Sequence, residues 1–179
     1  KTLYPAIKIN IHNHTTHETL KQLSSGKLDF ALITTPFETP KSVRCEKMLD
    51  FHEILVGGTK YKDLRHAMSL SDMKNYPWIG LARGTATYEL YNDFFLRHNT
   101  DISLDMEVAT SALMLPLIEN NLGIGFVPKQ LALPFLQEGK LVQVQIDCEI
   151  PRRQIQLVSD KGRGKSLAAD TFYKYLKNH

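Results

Sequence analysis

The amino-acid sequence predicts an α/β protein in which short strands alternate with helices. Along its 179 residues, apolar stretches of strand length are followed by stretches with apolar residues at helical spacing. Gly123 and Gly125 bracket one apolar stretch, and Pro128 ends it because proline cannot continue strand pairing. Since several of the strands are largely apolar, we expect mostly parallel sheets with helices on both faces.

The chain opens with a predicted strand, helix and strand. Residues 7–12 alternate apolar and polar side chains, which is the periodicity of a half-buried strand. Thr16 is a candidate cap for a helix over residues 17–24, and residues 29–34 form the next strand. These three elements predict a right-handed βαβ unit.

The later elements follow from the same two periodicities. Further strands are predicted at residues 43–48, 51–56, 78–81, 102–108, 123–127, 141–146 and 154–159. Further helices are predicted around residues 70–73, over 87–98, from 110 to 121, from 129 to 137 and over 166–177. Breaks near Gly57 and Pro151 suggest that the chain leaves one lobe and later returns to it. We therefore expect a first lobe of residues 1–56 with 151–179, a second lobe of residues 57–150, and a ligand in the cleft between them.

Composition limits the function classes. The 22 Lys and Arg residues exceed the 19 Asp and Glu by three and are spread along the chain, so no basic arm for nucleic acid is present. No run approaches the length of about 18–20 apolar residues that crosses a bilayer. Cys45 and Cys148 are far apart and favour two buried thiols in a reducing compartment.

Two motifs invite other functions. His12, His14 and His17 could approach a metal ion, but no further ligand is near in sequence, so loop histidines are the favoured interpretation. The stretch 162–166 imitates a phosphate loop, but Ser159 stands where the first glycine is required. No Gly-x-Ser-x-Gly motif or other catalytic set can be assembled. We therefore expect no enzyme activity, no metal and no cofactor.

An ordered set of short motifs points to a family. In chain order they are Tyr4-Pro5, Leu23-x-x-Gly26-x-Leu28-Asp29-Phe30-Ala31, Gly84-Thr85, Leu122-Gly123-Ile124-Gly125-x-x-Pro128 and Asp160-Lys161-Gly162-Arg163. With them the chain resembles the effector-binding domain of a LysR-type transcriptional regulator, which is itself similar to a type 2 periplasmic binding protein. The resemblance covers essentially the whole chain. It implies two Rossmann-like lobes joined by crossover strands, a small effector, and a cytoplasmic protein.

The resemblance also implies segments upstream of this sequence. Family members carry a winged helix-turn-helix, a linker helix, and a first strand and helix ahead of the Tyr-Pro pair, and all of these are absent here. Residues 3–5 accordingly resemble the tail of a helix that begins earlier. We therefore expect a truncated effector domain that contacts DNA only through the absent N-terminal domain.

The resemblance places the effector contacts at four polar loops. They carry Thr16, Thr34 with Thr35, Gly84 with Thr85, and Thr110 with Ser111. Thr16, Thr85 and Thr110 also fall near predicted helix starts, where backbone N–H groups favour an anion. Simple helix capping by these threonines is the alternative. Arg83 could bind an effector carboxylate or form a surface salt bridge, and His14 could hydrogen-bond an acidic effector.

The leading hypothesis is therefore a domain that senses a small polar effector, an organic or inorganic anion, and that self-associates as a homodimer or tetramer. In the resembling family, the helix that carries Leu113 and Met114 forms an antiparallel dimer against the strand matching residues 7–12, or its neighbouring helix. An extracytoplasmic solute-binding protein of a transporter shares the same fold and is the alternative. A metal-dependent enzyme built on the histidines is a weaker third.

Overall fold

The computed structural model describes residues 4–177, except for the side chain of Arg65. These residues form two compact units. Asp50–Arg153 make the second unit, and the described residues up to Leu49 and from Gln154 onward make the first. The lobe boundaries expected from the sequence, at residues 56 and 151, stay a prediction. The expected helix tail at residues 3–5 begins outside the described residues.

Helices and strands alternate along the chain. The α-helices are α1 (Thr16–Ser25), α2 (Leu70–Met73), α3 (Ala86–Arg97), α4 (Ser111–Glu119), α5 (Lys129–Gln137) and α6 (Leu167–Lys177). The strands are β1 (Ala31–Thr34), β2 (Val43–Phe51), β3 (Glu53–Gly58), β4 (Ile79–Leu81), β5 (Met106–Val108), β6 (Ile124–Pro128), β7 (Leu141–Gln143) and β8 (Arg153–Asp160). A 3-10 helix, Thr59–Arg65, follows β3. Across residues 4–177, no helix combines the length and the apolar character that crossing a bilayer requires.

The first unit is built on a sheet with the strand order β1-β8-β2. Strand β1 runs antiparallel to β8, with Ala31 opposite Val158. Leu23 of α1 packs into the core of this sheet together with Val43 and Val158. Helix α1 ends at Gly26, whose φ of 76° is a left-handed conformation that glycine adopts without strain.

The second unit has β3 at its centre, between β6 and β7 and antiparallel to both. All six residues of β3 are buried. Successive side chains of a strand point to opposite faces, so this strand supplies two separate cores. Leu55 packs into an aromatic cluster with Trp78 and Phe126. Ile54 and Val56 pack on the other face, in a cluster that includes residues of α4.

A second, two-stranded sheet in this unit pairs β4 with β5 in parallel, with Ile79 opposite Met106. Helix α3 follows β4, and helix α4 follows β5. The carboxyl ends of parallel strands lie at the same edge of a sheet, so this pairing brings the starts of the two helices to one edge.

The expected strand at residues 7–12 is wrong. These residues have no regular structure, and Ile11 is 90% exposed. Alternation alone does not make a strand, because the backbone also needs a neighbouring strand to pair with. The expected βαβ unit is therefore not formed, and the pairing of β1 with β8 is antiparallel.

The expectation of mostly parallel sheets is also wrong, because β1 with β8 and β3 with both β6 and β7 are antiparallel pairs. Gly57 and Gly58 are the last two residues of β3, so the break expected near Gly57 follows them directly. They are glycines because neighbours approach closely: a Cβ on Gly58 would lie 2.5 Å from the Ile118 carbonyl oxygen. Two expected strands are shorter than predicted, at β5 and β7.

A close approach at Gly125 gives a test of the packing in the second unit. A Cβ there would lie 2.5 Å from the Ile79 carbonyl oxygen, so Gly125→Ala forces β6 away from β4. We expect a loss of about 1–3 kcal/mol in the free energy of unfolding, measured by urea denaturation. Gly164→Ala is the control, because no heavy atom lies within 4 Å of its Cβ position. Equal stability of the two variants would contradict this packing.

Candidate functional site

The loop between β4 and α3 holds three of the predicted site residues. Gly84 adopts a left-handed φ of 80°, and a Cβ there would meet no atom within 4 Å. Thr85 caps α3: its hydroxyl oxygen accepts the N–H of Tyr88 at 3.1 Å and its hydroxyl donates to the Ala82 carbonyl at 2.9 Å. The capping alternative therefore describes Thr85 in this structure.

Arg83 lies in the same loop and is exposed. Its Nε lies 3.3 Å from Glu107 Oε1, and its backbone N–H donates to Glu107 Oε2 at 3.2 Å. The guanidinium carbon also lies 5.8 Å from the centroid of the Tyr88 ring. The surface salt bridge is therefore present. Exposed pairs of this kind contribute only about 0–1 kcal/mol, so Arg83 can exchange Glu107 for another anion at small cost.

The start of α4 carries the next two predicted residues. Thr110 occupies the capping position in an extended conformation, but its side chain makes no capping hydrogen bond. Ser111 is the first residue of the helix and is half-buried. The opening backbone N–H groups of a helix need acceptors, and the Thr110 side chain does not supply one here. The start of α4 is therefore suited to an external acceptor, such as an anion.

Both helix starts border a cavity of about 40 Å³ in the second unit. Its lining comprises Glu53, Trp78, Ile79, Gly80, Leu81, Thr87, Tyr88, Tyr91, Asn92, Phe95, Ile102, Leu104, Ser111, Met114 and Phe126. Ser111 is the predicted site residue among them. The Tyr91 and Phe126 rings stack in parallel with centroids 4.2 Å apart, which gives the cavity a flat aromatic wall.

A buried ion pair adjoins this cavity. Arg153 Nη1 donates to Glu53 Oε2 at 3.0 Å, and each side chain is only 3% exposed. The Tyr91 hydroxyl donates to the same oxygen at 2.7 Å, and Arg153 Nη2 donates to Thr87 Oγ1 at 3.0 Å. Burial and the negative charge of Glu53 raise the pKa of Tyr91 well above its ordinary value, so the phenol stays protonated and donating.

The other four predicted residues lie in the first unit. Thr35 Oγ1 accepts the N–H of Gln154 at 2.9 Å, and Thr34 ends β1. Thr16 is the first residue of α1, and the cap is Thr15, whose hydroxyl accepts the N–H of Glu18 at 3.4 Å. The expected capping role of Thr16 is therefore wrong by one residue, because Thr15 has the extended backbone that a cap requires. A common site for all nine residues stays a prediction.

His14 is exposed, and its ring stacks on that of His12 with centroids 5.7 Å apart. Within residues 4–177, no group of three or more His, Cys, Asp or Glu side chains is arranged to hold a metal ion.

Sequence reasoning missed Glu53, Arg153, Tyr91 and Thr87. Glu53 and Arg153 each stand beside an apolar stretch that predicts a strand, and this position was the available signal. A charged side chain that is buried in such a place must find a partner. The pairing itself leaves no local pattern, because the two residues are 100 positions apart in the chain.

The buried pair predicts a large effect of Glu53→Ala. This change removes the carboxylate that both Arg153 and Tyr91 bind, and breaking a buried pair costs about 3–5 kcal/mol in the free energy of unfolding. Glu149→Ala is the matched control, because Glu149 pairs with Arg152 at the surface, where the two side chains are 74% and 77% exposed. Urea denaturation measures both variants. If Glu53→Ala lowers the free energy of unfolding no more than Glu149→Ala does, the assigned role of the buried ion pair is refuted.

Comparisons with known proteins agree with the fold. The chain is 24% identical over 184 residues to an uncharacterised HTH-type transcriptional regulator, YfeR, of Shigella flexneri, covering 98% of this chain and 56% of that protein. It is 22% identical to a probable RuBisCO transcriptional regulator of Chlorokybus atmophyticus, covering 94% of this chain and 56% of that protein. The chain spans little more than half the length of these curated relatives.

Solved structures with the same fold include two regulator domains with bound ligands. The regulatory domain of CcmR from Synechocystis PCC6803, in complex with 2-PG, superposes with a TM-score of 0.84 at 17% identity, covering 99% of this chain and 85% of that chain. The effector binding domain of QuiR, in complex with shikimate, superposes with a TM-score of 0.77 at 19% identity, covering 92% and 78%.

The predicted fold class, α/β and similar to type 2 periplasmic binding proteins, is thereby confirmed. The family model of the LysR substrate binding domain matches residues 1–179, and the chain therefore belongs to the family of LysR substrate-binding domains.

Proposed function

We propose that the chain is the sensing domain of a transcriptional regulator and binds a small anionic effector at the joint edge of β4, β5, α3 and α4. One observation carries this proposal: the end of β4, the start of α3 and the start of α4 all border one cavity. Ligands of open α/β sheets bind at the carboxyl ends of parallel strands, and β4 and β5 are such strands.

The charge of the ligand follows from the helix starts. Two helix N-termini meet this edge, and each presents backbone N–H groups at the positive end of a helix dipole. The exposed guanidinium of Arg83 lies in the loop that precedes α3. A negatively charged ligand satisfies all three groups at once. Shikimate, in the QuiR complex, and bromide, in a structure of the HypT regulatory domain from Salmonella typhimurium, are anions bound by proteins of this fold.

The effector acts by favouring one conformation of the whole regulator over another. In this proposal, DNA is contacted only by a separate N-terminal domain, and the protein works in the cytoplasm without a cofactor or a catalytic step. A structural neighbour, full-length CbnR, was solved in complex with its target DNA. The curated relatives named above are transcriptional regulators, which favours this function over solute binding for a transporter.

The first test is anion binding by the chain itself. We expect bromide and small carboxylates such as shikimate to raise the melting temperature of the protein at low ionic strength. Arg83→Gln should weaken the affinity by about tenfold, because a charge-assisted hydrogen bond to the ligand is lost. Isothermal titration calorimetry measures the dissociation constants.

Arg97→Gln is the matched control, since Arg97 lies at the opposite end of α3. Equal loss of affinity in both variants would contradict the assigned position. Failure of every small anion to bind would exclude the proposed function.

We also propose that the domain self-associates through α4. Leu113 of this helix is 53% exposed, although its neighbours Met114 and Leu115 are buried. Ile11, which is 90% exposed, supplies an apolar counterpart on a second copy of the chain. Burying two such side chains on association removes apolar area from water, which stabilises a dimer.

Leu113→Lys should therefore raise the dissociation constant of the dimer by at least about tenfold, because a charge enters an apolar contact. Sedimentation velocity over a concentration series measures the change. Leu96→Lys is the control, since Leu96 is similarly exposed, at 59%, but lies on α3. A monomeric wild-type chain, or equal effects of the two substitutions, would refute this interface.

A further inference from the structure

We infer that the effector carries a short apolar group beside its anionic group, and that the apolar group enters the cavity between β4, α3 and α4. This inference rests on the proposed function and adds the chemical class of the ligand. It follows from three properties of the cavity: its lining, its charge balance and its size.

The lining separates a polar entrance from an apolar interior. Tyr88, Asn92 and Ser111 are half-buried and stand on the first two turns of α3 and at the start of α4. Trp78 and Phe126, in contrast, are buried in the aromatic core. The cavity therefore runs from the helix starts, where an anion is favoured, into a region that offers mainly aromatic and aliphatic surface.

The charge balance keeps the anionic group at the entrance. The one carboxylate in the lining, Glu53, is already bound by Arg153 and by the hydroxyl of Tyr91. The pair is neutral as a whole, so the interior holds no unbalanced positive charge to attract an anion. An anion that moved inward would approach the Glu53 carboxylate and lose its solvation. An uncharged apolar group is not repelled by the Glu53 carboxylate and has no charge to desolvate.

The size of the cavity limits the apolar group. The cavity, at about 40 Å³, is small. The apolar group is therefore a short one. A free inorganic anion would leave the interior empty, and a large ring system would exceed it.

Leu104 sets the depth of the cavity on one side. A Cβ on Gly80 would lie 2.8 Å from Leu104 Cδ2, so the Leu104 side chain rests directly on the backbone of β4. Leu104 is half-buried and precedes β5 in an irregular segment. Truncating it enlarges the cavity without removing a residue from a strand or helix.

The test uses linear monocarboxylates from acetate to hexanoate, with the matching neutral amides as a second series, titrated calorimetrically into the chain. We expect the dissociation constant of the carboxylates to fall by about threefold to fourfold for each added methylene until the cavity is full, and then to level off. Leu104→Ala should move this plateau to a longer chain by one or two carbons. Leu104→Val, a smaller truncation, should move it less.

Leu96→Ala is the matched control, because Leu96 is exposed and lies outside the cavity lining. Its series should follow that of the wild-type chain. Carboxylates that bind with the same affinity at every chain length would overturn the inference and leave the proposed function intact. If neither carboxylates nor bromide bind, the proposed function and the inference both fail. The inference is also overturned if the plateau stays at the same chain length in Leu104→Ala and Leu104→Val while thermal melting shows that both variants are folded.

Discussion

The second unit depends on a single buried carboxylate, that of Glu53. Glu53 begins β3, Arg153 begins β8, and Tyr91 belongs to α3, so one oxygen atom receives hydrogen bonds from two elements that are distant in the sequence. A buried charge is tolerated only when its partners are in place, which requires Arg153 and Tyr91 to pack against Glu53 within the second unit. The same contacts hold α3 by its first two turns, through Thr87 and Tyr91, and these turns lie directly behind the loop of Arg83 and Gly84.

The rest of the candidate site follows from that anchoring. The parallel pairing of β4 and β5 brings two helix starts to one edge, and the stacking of Tyr91 on Phe126 forms the wall behind them. Helix α3 is capped by Thr85, whereas α4 has no side-chain cap from Thr110. The two starts thus differ: Thr85 supplies a side-chain acceptor to α3, whereas Thr110 supplies none to α4.

Local signals explain which parts of the fold could be predicted. The capping alternative for Thr85, the extent of α5 and the strand before Pro128 are confirmed, because a cap, a glycine stop and a proline act within a few residues. Strand pairing could not be read in the same way. Strand β3 is almost entirely apolar, as in a parallel sheet, yet it is buried because two antiparallel neighbours and two cores surround it. Of the residues that border the cavity, Ser111 was among those that the family resemblance predicted, but Glu53 and Arg153 could not be paired from sequence.

The short length of β5 has a consequence for how this domain can diverge. Residues 101–104 run beside the cavity without belonging to a strand, and two of them, Ile102 and Leu104, form part of its lining. Exchange of these side chains alters the shape of the cavity while every ladder hydrogen bond of the sheet is kept. The buried ion pair and these two lining residues thus lie in different segments, so substitution in the irregular segment reshapes the cavity while the structural charges stay unchanged.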